Sequence, residues 1–506
     1  KKMNIGYMEP FDYVTLAMFF LIIVGIGIWS KRTVKSSEDF YVGGGKVPWW
    51  LSGISHHVSG YSGVVFVGYA GIAYAQGTAI YFWWAINIAL AMSISAVTIV
   101  PRWPRLRQAL GIESPTEYLR VRYNTPTQML VAISGIVVKL LDVGAKWASL
   151  GILLYGFTGL PVWMGIILGS MASMIYVSIG GIMADLLTDF VQFLVTLLAG
   201  LFLFFAVLTH LGDYGVTLGT LAQALPEGHL TIFNEGRGQG SVSWTLLYFF
   251  VIFFSYSGGT WNLAARFIST SDDKQAKKAA FLSSALYVIW PLILFFPMWC
   301  GPIIFPGLTQ AEAEASLYAS LAGKFLPVGL VGLVLAAMFA QTMSMCNSDV
   351  NTISAVITRD VLPKFVPSVE TMDEKKSLYV ARLTTILFTA CTVIVGLMNE
   401  QFGGVTGMIL SWFAALLGPT AIPLLLGLLP AFKHCDSKAA IASILAGLGV
   451  FVATKMGLKL ETDIELIAPL FTSFIVFAAV GLLNQYVLKQ KVQPDVEELM
   501  DKLGAK

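Results

Sequence analysis

The residues best suited to chemistry lie in a stretch that is long enough to cross a membrane but polar in its middle. Between Pro48 and Tyr74 five glycines interrupt the apolar run, and five polar side chains join them: Ser55, His56, His57, Ser59 and Ser62. In hydrocarbon, backbone freed from a helix persists only where protein buries it or where it lines a wet cavity. A break at Ser59–Gly63 therefore predicts free carbonyls and helix ends that bind an ion or a polar solute. The alternative is that the small residues only allow close packing between helices.

A second polar stripe lies in the predicted helix Val328–Thr358. Its members recur three and four residues apart and therefore share one face: Gln341, Ser344, Ser348 and Asn351. Hard cations such as Na⁺ take oxygen ligands, here hydroxyls and freed carbonyls. A serine stripe that faces a broken helix predicts a sodium site, and hydrogen bonding between helices is the alternative.

Charged residues inside predicted spans are functional candidates because burying a charge in a membrane is costly. Asp189 could neutralise a cation or pair with a basic side chain, whereas Asp185, one turn earlier, could be only an interfacial acid. Lys139, Asp142 and Lys146 lie on one helix. They either pair locally and are structural, or leave a lysine for a carboxylate substrate, and the sequence favours neither interpretation.

Composition sets the class of protein within which these residues act. The chain has 506 residues, of which 56% are hydrophobic and only 12% charged, against about 25% charged in soluble domains. This predicts a polytopic membrane protein whose partner is the lipid bilayer, and the net charge of +2 predicts no nucleic-acid partner. The four cysteines show no metal or redox spacing. With no nucleophile, metal cluster or soluble catalytic domain in view, we expect neither an enzyme nor a receptor, and no cofactor. No repeated filter-like sequence favours a channel.

The elements that position these residues are thirteen predicted spanning helices, two of them broken. An odd number places the termini on opposite sides of the membrane. With the amino terminus outside, most lysines and arginines of the loops fall inside, which is the bias expected of membrane proteins. The sequence therefore predicts an outer amino terminus, a cytoplasmic carboxyl terminus and a multi-pass protein of the inner cell membrane. A lack of glycosylation acceptors in the loops favours a bacterial source.

The two broken helices open two sets of five. The second break is predicted at Ser255–Gly259, and the two opening helices cross the membrane in opposite directions. Interrupted helices at matching places in two halves indicate an inverted-repeat transporter. The predicted units are a leading helix and link, two five-helix repeats, two trailing helices and a cytoplasmic tail: residues 1–47, 48–211, 244–431, 432–489 and 490–506.

Four motifs carry a family resemblance. They read EDFYVGGGKVPWW before the first break, GGIMADLLTDFVQF around Asp189, ARFISTSDDKQAKKAA after the second break and NTISAVITRDV at the end of the serine helix. Together they resemble the sodium/solute symporter family, over about residues 11–490. The resemblance implies an all-α, LeuT-type five-plus-five inverted repeat with one leading and two trailing helices, and Na⁺ as the coupling ion.

Sodium ligands are implied by the same resemblance. Main-chain oxygens of Val58, Tyr61 and Gln341 and the Ser344 hydroxyl would form the common sodium site. Asp189 with Ser344, Asn347 and Ser348 resembles a further sodium site of the sialic-acid type. The chain departs from the family at Met345, where a second hydroxyl residue is usual, and methionine offers no hard ligand.

The implied substrate pocket also departs from the family. Trp84 stands where galactose-type members hold a sugar-binding acid, and Val65 stands where they hold a glutamine, so galactose and glucose are disfavoured. The residues mapped near the pocket are Ser62, Val65, Trp84, Asn87, Asp142, Lys146, Thr260, Trp261 and Asn262. We expect a sodium-coupled symporter that imports a small polar solute, with a sugar acid or sialic-acid-like compound first. The alternatives are an amino-acid or monocarboxylate substrate, and proton coupling through His56, His57 or Asp185.

Overall fold

The computed structural model describes residues 8–235, 239–402, 405, 408, 413–456 and 462–504 of the chain. Helices dominate this part of the protein. The α-helices of seven residues or more are α1 Pro10–Ser30, α2 Trp49–Val58, α3 Gly68–Gln76, α4 Asn87–Thr98, α5 Arg102–Leu110, α6 Thr125–Thr158, α7 Val162–His210, α8 Val242–Phe254, α9 Asn262–Ile268, α10 Asp273–Trp299, α11 Gln310–Phe325, α12 Leu330–Ala355, α13 Glu374–Leu397, α14 Ser437–Met456, α15 Thr462–Leu482 and α16 Pro494–Gly504.

Membrane-spanning length is reached by ten helical segments within the described residues, judged by length and apolar composition. Three further apolar segments are interrupted or short, namely the broken pair α2–α3, Val162–Ile175 and Leu417–Leu426. Together they account for the thirteen predicted spans. The predicted helix Gly403–Leu429 lies partly outside the described residues.

Helix α7 is 49 residues long, about 73 Å at 1.5 Å per residue, which is twice the thickness of a bilayer core. It changes direction at Gly181, whose φ of 54° departs from helical geometry. The sequence predicts two helices here, Val162–Ile182 and Leu186–Leu208. The structure joins them by a sharp kink without a loop, and Asp185 and Asp189 lie just beyond it.

Helix α1 is tied to the serine helix α12 by one buried carboxylate. Asp12 Oδ1 accepts hydrogen bonds from the amides of Gly329 (2.6 Å) and Gly332 (2.8 Å). Amides at the start of a helix have no partner within the helix, so a buried carboxylate there satisfies them. This contact sets the axial position of α12 relative to the leading helix. Helix α12 carries most of the candidate sodium ligands.

Both predicted breaks are present. Helix α2 ends at Val58, the chain leaves the helix at Ser59, and a single turn, Gly63–Phe66, precedes α3. Helix α8 ends at Phe254 and continues as one wide turn, Ser255–Gly259, before α9.

Two glycines permit these breaks. A side chain at Gly60 would overlap the hydroxyl of Tyr287, which approaches the backbone there. Gly258 has a φ of 119°, a conformation that side-chain-bearing residues rarely adopt. The breaks thus depend on glycine for two reasons, namely close approach in the first and backbone conformation in the second.

The carboxyl-terminal tail forms a helix that packs on the rest of the bundle. Helix α16 is amphipathic, and its apolar residues Val496, Leu499, Met500 and Leu503 are buried. It packs on α5, where Arg105 donates to the carbonyl of Leu503 (2.7 Å) and pairs with Asp273 (2.6 Å). This packing is hard to read from the sequence because the apolar stripe covers only one side of a short, charged helix.

Candidate functional site

The serine helix α12 faces the first break, as the polar stripe predicted. Ser59 Oγ, in the break, lies 3.1 Å from Ser348 Oγ on α12. Val58 and Tyr61, whose main-chain oxygens are candidate sodium ligands, are fully buried. One turn from Ser348, the Ser344 hydroxyl is also buried and lies beside the Asp189 carboxylate. No hydrogen bond of ordinary geometry reaches this hydroxyl from the described residues.

A buried triad of charges surrounds the break. We define the triad as Arg266, Asp185 and Asp189. Arg266 Nη2 pairs with Asp185 and lies 3.4 Å from Asp189 Oδ2. It also contacts the hydroxyls of Ser59 (3.3 Å) and Ser348. The triad therefore ties α9, α7 and α12 to the first break. It carries two carboxylates and one guanidinium, so its formal charge is −1.

Hydrogen bonds complete the surroundings of the triad. Ser348 donates to Asp185 Oδ2 (3.0 Å), and Ser55 donates to Asp189 Oδ2. The second oxygens of both carboxylates, Asp185 Oδ1 and Asp189 Oδ1, are buried without a hydrogen-bond partner among the described residues. Buried acceptors of this kind are normally satisfied by protein, water or an ion.

A second buried cluster lies on an adjacent face of α12. We define the ring as Lys139, Asp142, Lys146 and Asp349, in which each lysine contacts both aspartates. Three of the four contacts measure 2.6–2.8 Å, and all four side chains are at most 3% exposed. Local pairing of Lys139, Asp142 and Lys146 was one of two open interpretations, and the structure favours it. The sequence analysis did not identify Asp349 as the fourth member. Two ammonium groups and two carboxylates give the ring a formal charge of zero.

A cavity of about 60 Å³ lies between the two breaks, which is room for several water molecules. Its polar wall combines the ring with both breaks, and the rest is apolar and aromatic. The lining residues that were predicted as substrate ligands are Ser62, Val65, Trp84, Asp142, Lys146 and Thr260. Met345 of the serine helix also lines it, so the residue that departs from the family pattern lies at the cavity.

Three predicted substrate residues lie elsewhere. Asn87 Nδ2 donates to the carbonyls of Trp83 and Thr245, both at 2.9 Å. Trp261 packs against α6 at Gly135, and Asn262 is buried beside it at the start of α9. None of the three is among the cavity-lining residues. Their assignment came from motif positions, and a shift of one residue along a helix is enough to turn a side chain away.

The predicted sodium ligands also fall into two groups, those already hydrogen-bonded to other side chains and those with an unbonded oxygen. Ser348 is fully engaged with the triad and with the Ser344 carbonyl. Asn347 Oδ1 accepts a hydrogen bond from Ser173 of α7. Gln341 is buried on the same face as Ser344, and its side-chain oxygen has no hydrogen-bond partner among the described residues. Ser344 lies beside Asp189, and Gln341 lies one turn away on the same face of α12, whereas Ser348 and Asn347 are bonded to the triad and to Ser173.

The two histidines differ in their contacts. His56 is bonded through both ring nitrogens, to Ser283 Oγ (2.9 Å) and to the carbonyl of Tyr256 (3.3 Å). His57 packs between Tyr61 and Tyr287, with ring centroids 4.9 and 4.6 Å away. Its nitrogens have no hydrogen-bond partner within the described part of the chain. The bonds of His56 are those of a structural residue. His57 is the histidine whose ring nitrogens remain available for a hydrogen bond or a proton.

The donor set suits Na⁺ and not a transition metal. The unbonded ligands are carboxylate, hydroxyl and amide oxygens, which hard cations prefer. No group of three histidine, cysteine or acidic side chains could hold a metal ion in the described ranges.

Comparison with known proteins gives the family. A model of the sodium:solute symporter family matches residues 40–447. The human (Homo sapiens) sodium/iodide cotransporter is 25% identical over 470 residues, 90% of this chain and 71% of that protein. The sodium/sialic acid symporter SiaT of Proteus mirabilis is 23% identical over 469 residues, 90% of this chain and 92% of that protein.

Solved structures show the same fold. A substrate-bound, outward-open Na⁺-coupled sialic acid symporter superimposes with a TM-score of 0.80 at 20% identity, covering 94% of this chain and 98% of that one. The nucleobase-cation-symport-1 transporter Mhp1 in a closed conformation gives a TM-score of 0.58 at 14% identity, covering 92% and 98%. The LeuT-type architecture is confirmed, and with its family model matched over most of its length, this multi-pass membrane protein belongs to the sodium:solute symporter family.

Proposed function

We propose that the protein is a sodium-coupled symporter in which Na⁺ binds where the first break meets the serine helix. The observation that carries the proposal is the formal charge of −1 on the triad, beside which the buried hydroxyl of Ser344 lies next to Asp189. A buried net charge without a counterion is strongly unfavourable. A bound Na⁺ would neutralise it and use the spare oxygens.

Sodium would couple to transport by joining two elements that must separate. Main-chain oxygens of Val58 and Tyr61 belong to the break, whereas Ser344 and the main chain of Gln341 belong to α12. An ion held by both stabilises the conformation in which they are close, which is a population shift by differential affinity. Sodium and substrate then raise each other's affinity by the same factor.

The substrate site we propose is the cavity between the breaks, with Ser62, Trp84, Asp142, Lys146 and Thr260 as its contact residues. Its few polar groups, set in a mostly apolar and aromatic wall, favour an organic solute that carries polar groups, and a cavity of about 60 Å³ must enlarge to admit a sugar acid. We propose an organic acid, with sugar acids and sialic-acid-like compounds as the first class. Small monocarboxylates and amino acids form the second, since relatives of 24% identity include the mouse (Mus musculus) sodium-coupled monocarboxylate transporter 1.

The loop charges support an orientation in the membrane, and an inward sodium gradient would make a sodium symporter an importer. We propose that the end of the bundle carrying the arginine-rich α5 is cytoplasmic, which puts the amino terminus outside. The protein would then be an importer of a bacterial inner membrane. Residues 48–211 and 244–431 would be the two inverted repeats that move relative to each other.

The test of the function is thermal stability of the purified protein against a panel of acids, sugars and amino acids, each in sodium and in choline. A ligand that binds only the folded state raises stability as RT ln(1 + [L]/Kd). We expect a shift for an acid only in sodium. A substrate shift of equal size in choline would overturn sodium coupling.

The sodium ligands are tested by Ser344→Ala. The variant loses one ligand and should raise the sodium midpoint of stability and uptake about tenfold, equivalent to about 1.4 kcal/mol. The matched control is Ser354→Ala, a buried serine on the same helix that bonds Tyr41 and the carbonyl of Ala381. It should lower stability without moving the sodium midpoint. An unchanged midpoint in Ser344→Ala would contradict the assignment.

Proton coupling is the second candidate, and the unbonded nitrogens of His57 favour it. It predicts uptake in sodium-free buffer driven by a pH gradient, and loss of that uptake in His57→Gln. Under sodium coupling, His57→Gln retains sodium-driven uptake.

A further inference from the structure

We propose that the protein binds one anionic phospholipid on its lipid-facing surface, with an acyl chain in a groove between α4, α8 and α15 and the phosphate on Arg102. The site is separate from the cavity between the breaks, and its ligand comes from the bilayer and not from solution.

The groove is larger than the cavity and wholly apolar. Its volume is about 290 Å³, more than four times that of the cavity between the breaks. Its described lining residues are all isoleucine, leucine or phenylalanine, among them Ile94 on α4, Phe250 on α8 and Phe474 on α15. These three side chains are 45%, 44% and 37% exposed, whereas Leu470 and Phe254 in the same groove are 3% and 7% exposed. The groove therefore has a buried floor and a rim that faces outward.

The three helices that form the groove belong to membrane-spanning segments, namely Tyr81–Thr98, Val242–Gly259 and Leu466–Val487. The groove thus faces the hydrocarbon of the bilayer. Apolar walls disfavour water, and they gain dispersion contacts only from a group that packs against them. In this setting the flexible apolar group that can do so is a lipid acyl chain.

Helix α8 separates the groove from the cavity. Its residues Tyr248 and Ile252 line the cavity, and so does Ser255 at the second break. Phe249 and Phe253, on a different face of the same helix, line the groove. An acyl chain held in the groove would therefore pack against the helix that leads into the second break.

The position of the headgroup follows from contacts at the end of α4. Thr98 Oγ1 donates to the carbonyl of Ile94 (2.9 Å), and Arg102 donates to the carbonyl of Thr98. Ile94, Thr98 and Arg102 are spaced four residues apart, so each follows the other by about one helical turn. The guanidinium is held where the span ends, close to the face of α4 that carries Ile94.

The charge of Arg102 has no protein counterion. None of the ion pairs among the described residues includes it, whereas Arg105 pairs with Asp273 and Arg359 pairs with Glu117. Arg102 Nε is buried without a hydrogen-bond partner in the described part of the chain. Burial, and then the nearby charge of Arg105, lower the pKa of Arg102, so a bound anion would stabilise the guanidinium.

Phosphate is the anion that suits this place. Arginine binds phosphate oxygens through several N–H donors at once, and basic side chains at the ends of spanning helices attract anionic lipid headgroups. The apolar groove and the unpaired guanidinium together match the two parts of one anionic phospholipid.

The headgroup is tested by native mass spectrometry of the purified, delipidated full-length protein, titrated with phosphatidylglycerol or with phosphatidylcholine of the same acyl chains. We expect one phosphatidylglycerol to bind about tenfold more tightly than phosphatidylcholine. Arg102→Gln should remove this preference, and Arg102→Lys, which keeps the charge, should retain most of it. The matched control is Arg120→Gln, which removes an exposed arginine and should leave the preference unchanged.

The groove is tested by Ile94→Trp, which fills part of it. This variant should weaken the binding of both lipids about tenfold. The matched control is Ile133→Trp on α6, an isoleucine that is 46% exposed against 45% for Ile94, and its lipid affinity should equal that of the parent protein.

Each outcome decides one part of the site. Equal affinity of the parent protein for the two lipids, or an unchanged preference in Arg102→Gln, would overturn the headgroup assignment. If Arg102→Gln folds poorly, the comparison of the two lipids in the parent protein still decides. Unchanged affinity in Ile94→Trp would overturn the groove. Displacement of the lipid by a tenfold excess of inorganic phosphate would show a site for a soluble anion and refute the proposal. None of these outcomes depends on sodium, so the proposed function stands or fails separately.

Discussion

The ring and the triad are two buried charge clusters on adjacent faces of one helix, and they differ by one unit of charge. Ser348 of the triad's surroundings and Asp349 of the ring are consecutive residues of α12. The ring balances its charges with protein groups alone, and the triad does not. A buried ion is stable only when it is paired. The charges of the ring are therefore already paired, whereas the triad requires an exchangeable cation.

This difference assigns separate roles to the two sides of the serine helix. Through Asp142 and Lys146 the ring lines the cavity, where a fixed, neutral pair can orient a solute without holding an ion. The triad faces the break through Ser59, where an exchangeable cation can control how tightly the break is held. A single helix would then transmit the state of the ion site to the substrate cavity.

The largest expected effect comes from unbalancing the ring. Asp349→Asn removes one carboxylate that contacts both lysines and leaves the ring with a charge of +1. Breaking a buried pair by removing one partner typically costs about 3–5 kcal/mol. We expect poor folding or a large drop in the melting temperature in detergent, with or without sodium.

The control for this variant restores neutrality. Lys139→Met combined with Asp349→Asn removes one charge of each sign, so the double variant should recover a large part of the lost stability. A single variant as stable as the parent protein would show that the ring is not an integrated charge cluster, and the contrast with the triad would fail.

The sequence predicted the breaks but not the charge partners, and the reason is physical. Glycine and serine at Ser59–Gly63 and Ser255–Gly259 weaken a helix locally, and local effects can be read from spacing. The pairing of Lys139 with Asp349 joins residues 210 positions apart. The contact of Arg266 with Asp185 spans 81 positions. Such contacts depend on which helices pack together, and spacing along the chain does not show this.

The residues that line the cavity could be predicted only in part, because local effects can be read from the sequence and helix packing cannot. Ser62 and Thr260 belong to the breaks and line the cavity, since the unwound backbone there opens onto the space between the two broken helices. Asn87 and Trp261 were assigned by motif position on or next to regular helices, where a rotation of about 100° per residue decides which side chain faces the cavity. That rotation is set by packing across the bundle.

A change of opposite sign is expected in the triad. Asp189→Asn leaves one carboxylate and one guanidinium, so the triad becomes neutral without a cation. In sodium-free buffer the variant should be as stable as the parent protein or more stable, by about 1 kcal/mol, whereas the same chemical change in the ring destabilises.

Sodium binding provides the second readout for Asp189→Asn. The variant should lose much of the sodium-dependent rise in melting temperature and move fewer sodium ions per substrate, as measured by paired uptake of labelled sodium and substrate. If the stoichiometry is unaltered and sodium still stabilises the variant fully, Asp189 is structural and the triad does not require an ion.

The smallest expected effect concerns Met345, which lies on α12 beside Ser344 and lines the cavity. Its thioether offers no ligand for Na⁺, whereas Met345→Ser adds a hydroxyl next to the proposed ligand Ser344. One additional neutral ligand of modest geometry should lower the sodium midpoint about threefold, equivalent to about 0.6 kcal/mol. Met345→Ala, which removes the same bulk without adding an oxygen, separates the ligand effect from the enlarged cavity. If both variants shift the sodium midpoint equally, the change comes from the cavity, and the ion site is complete without a second hydroxyl at this position.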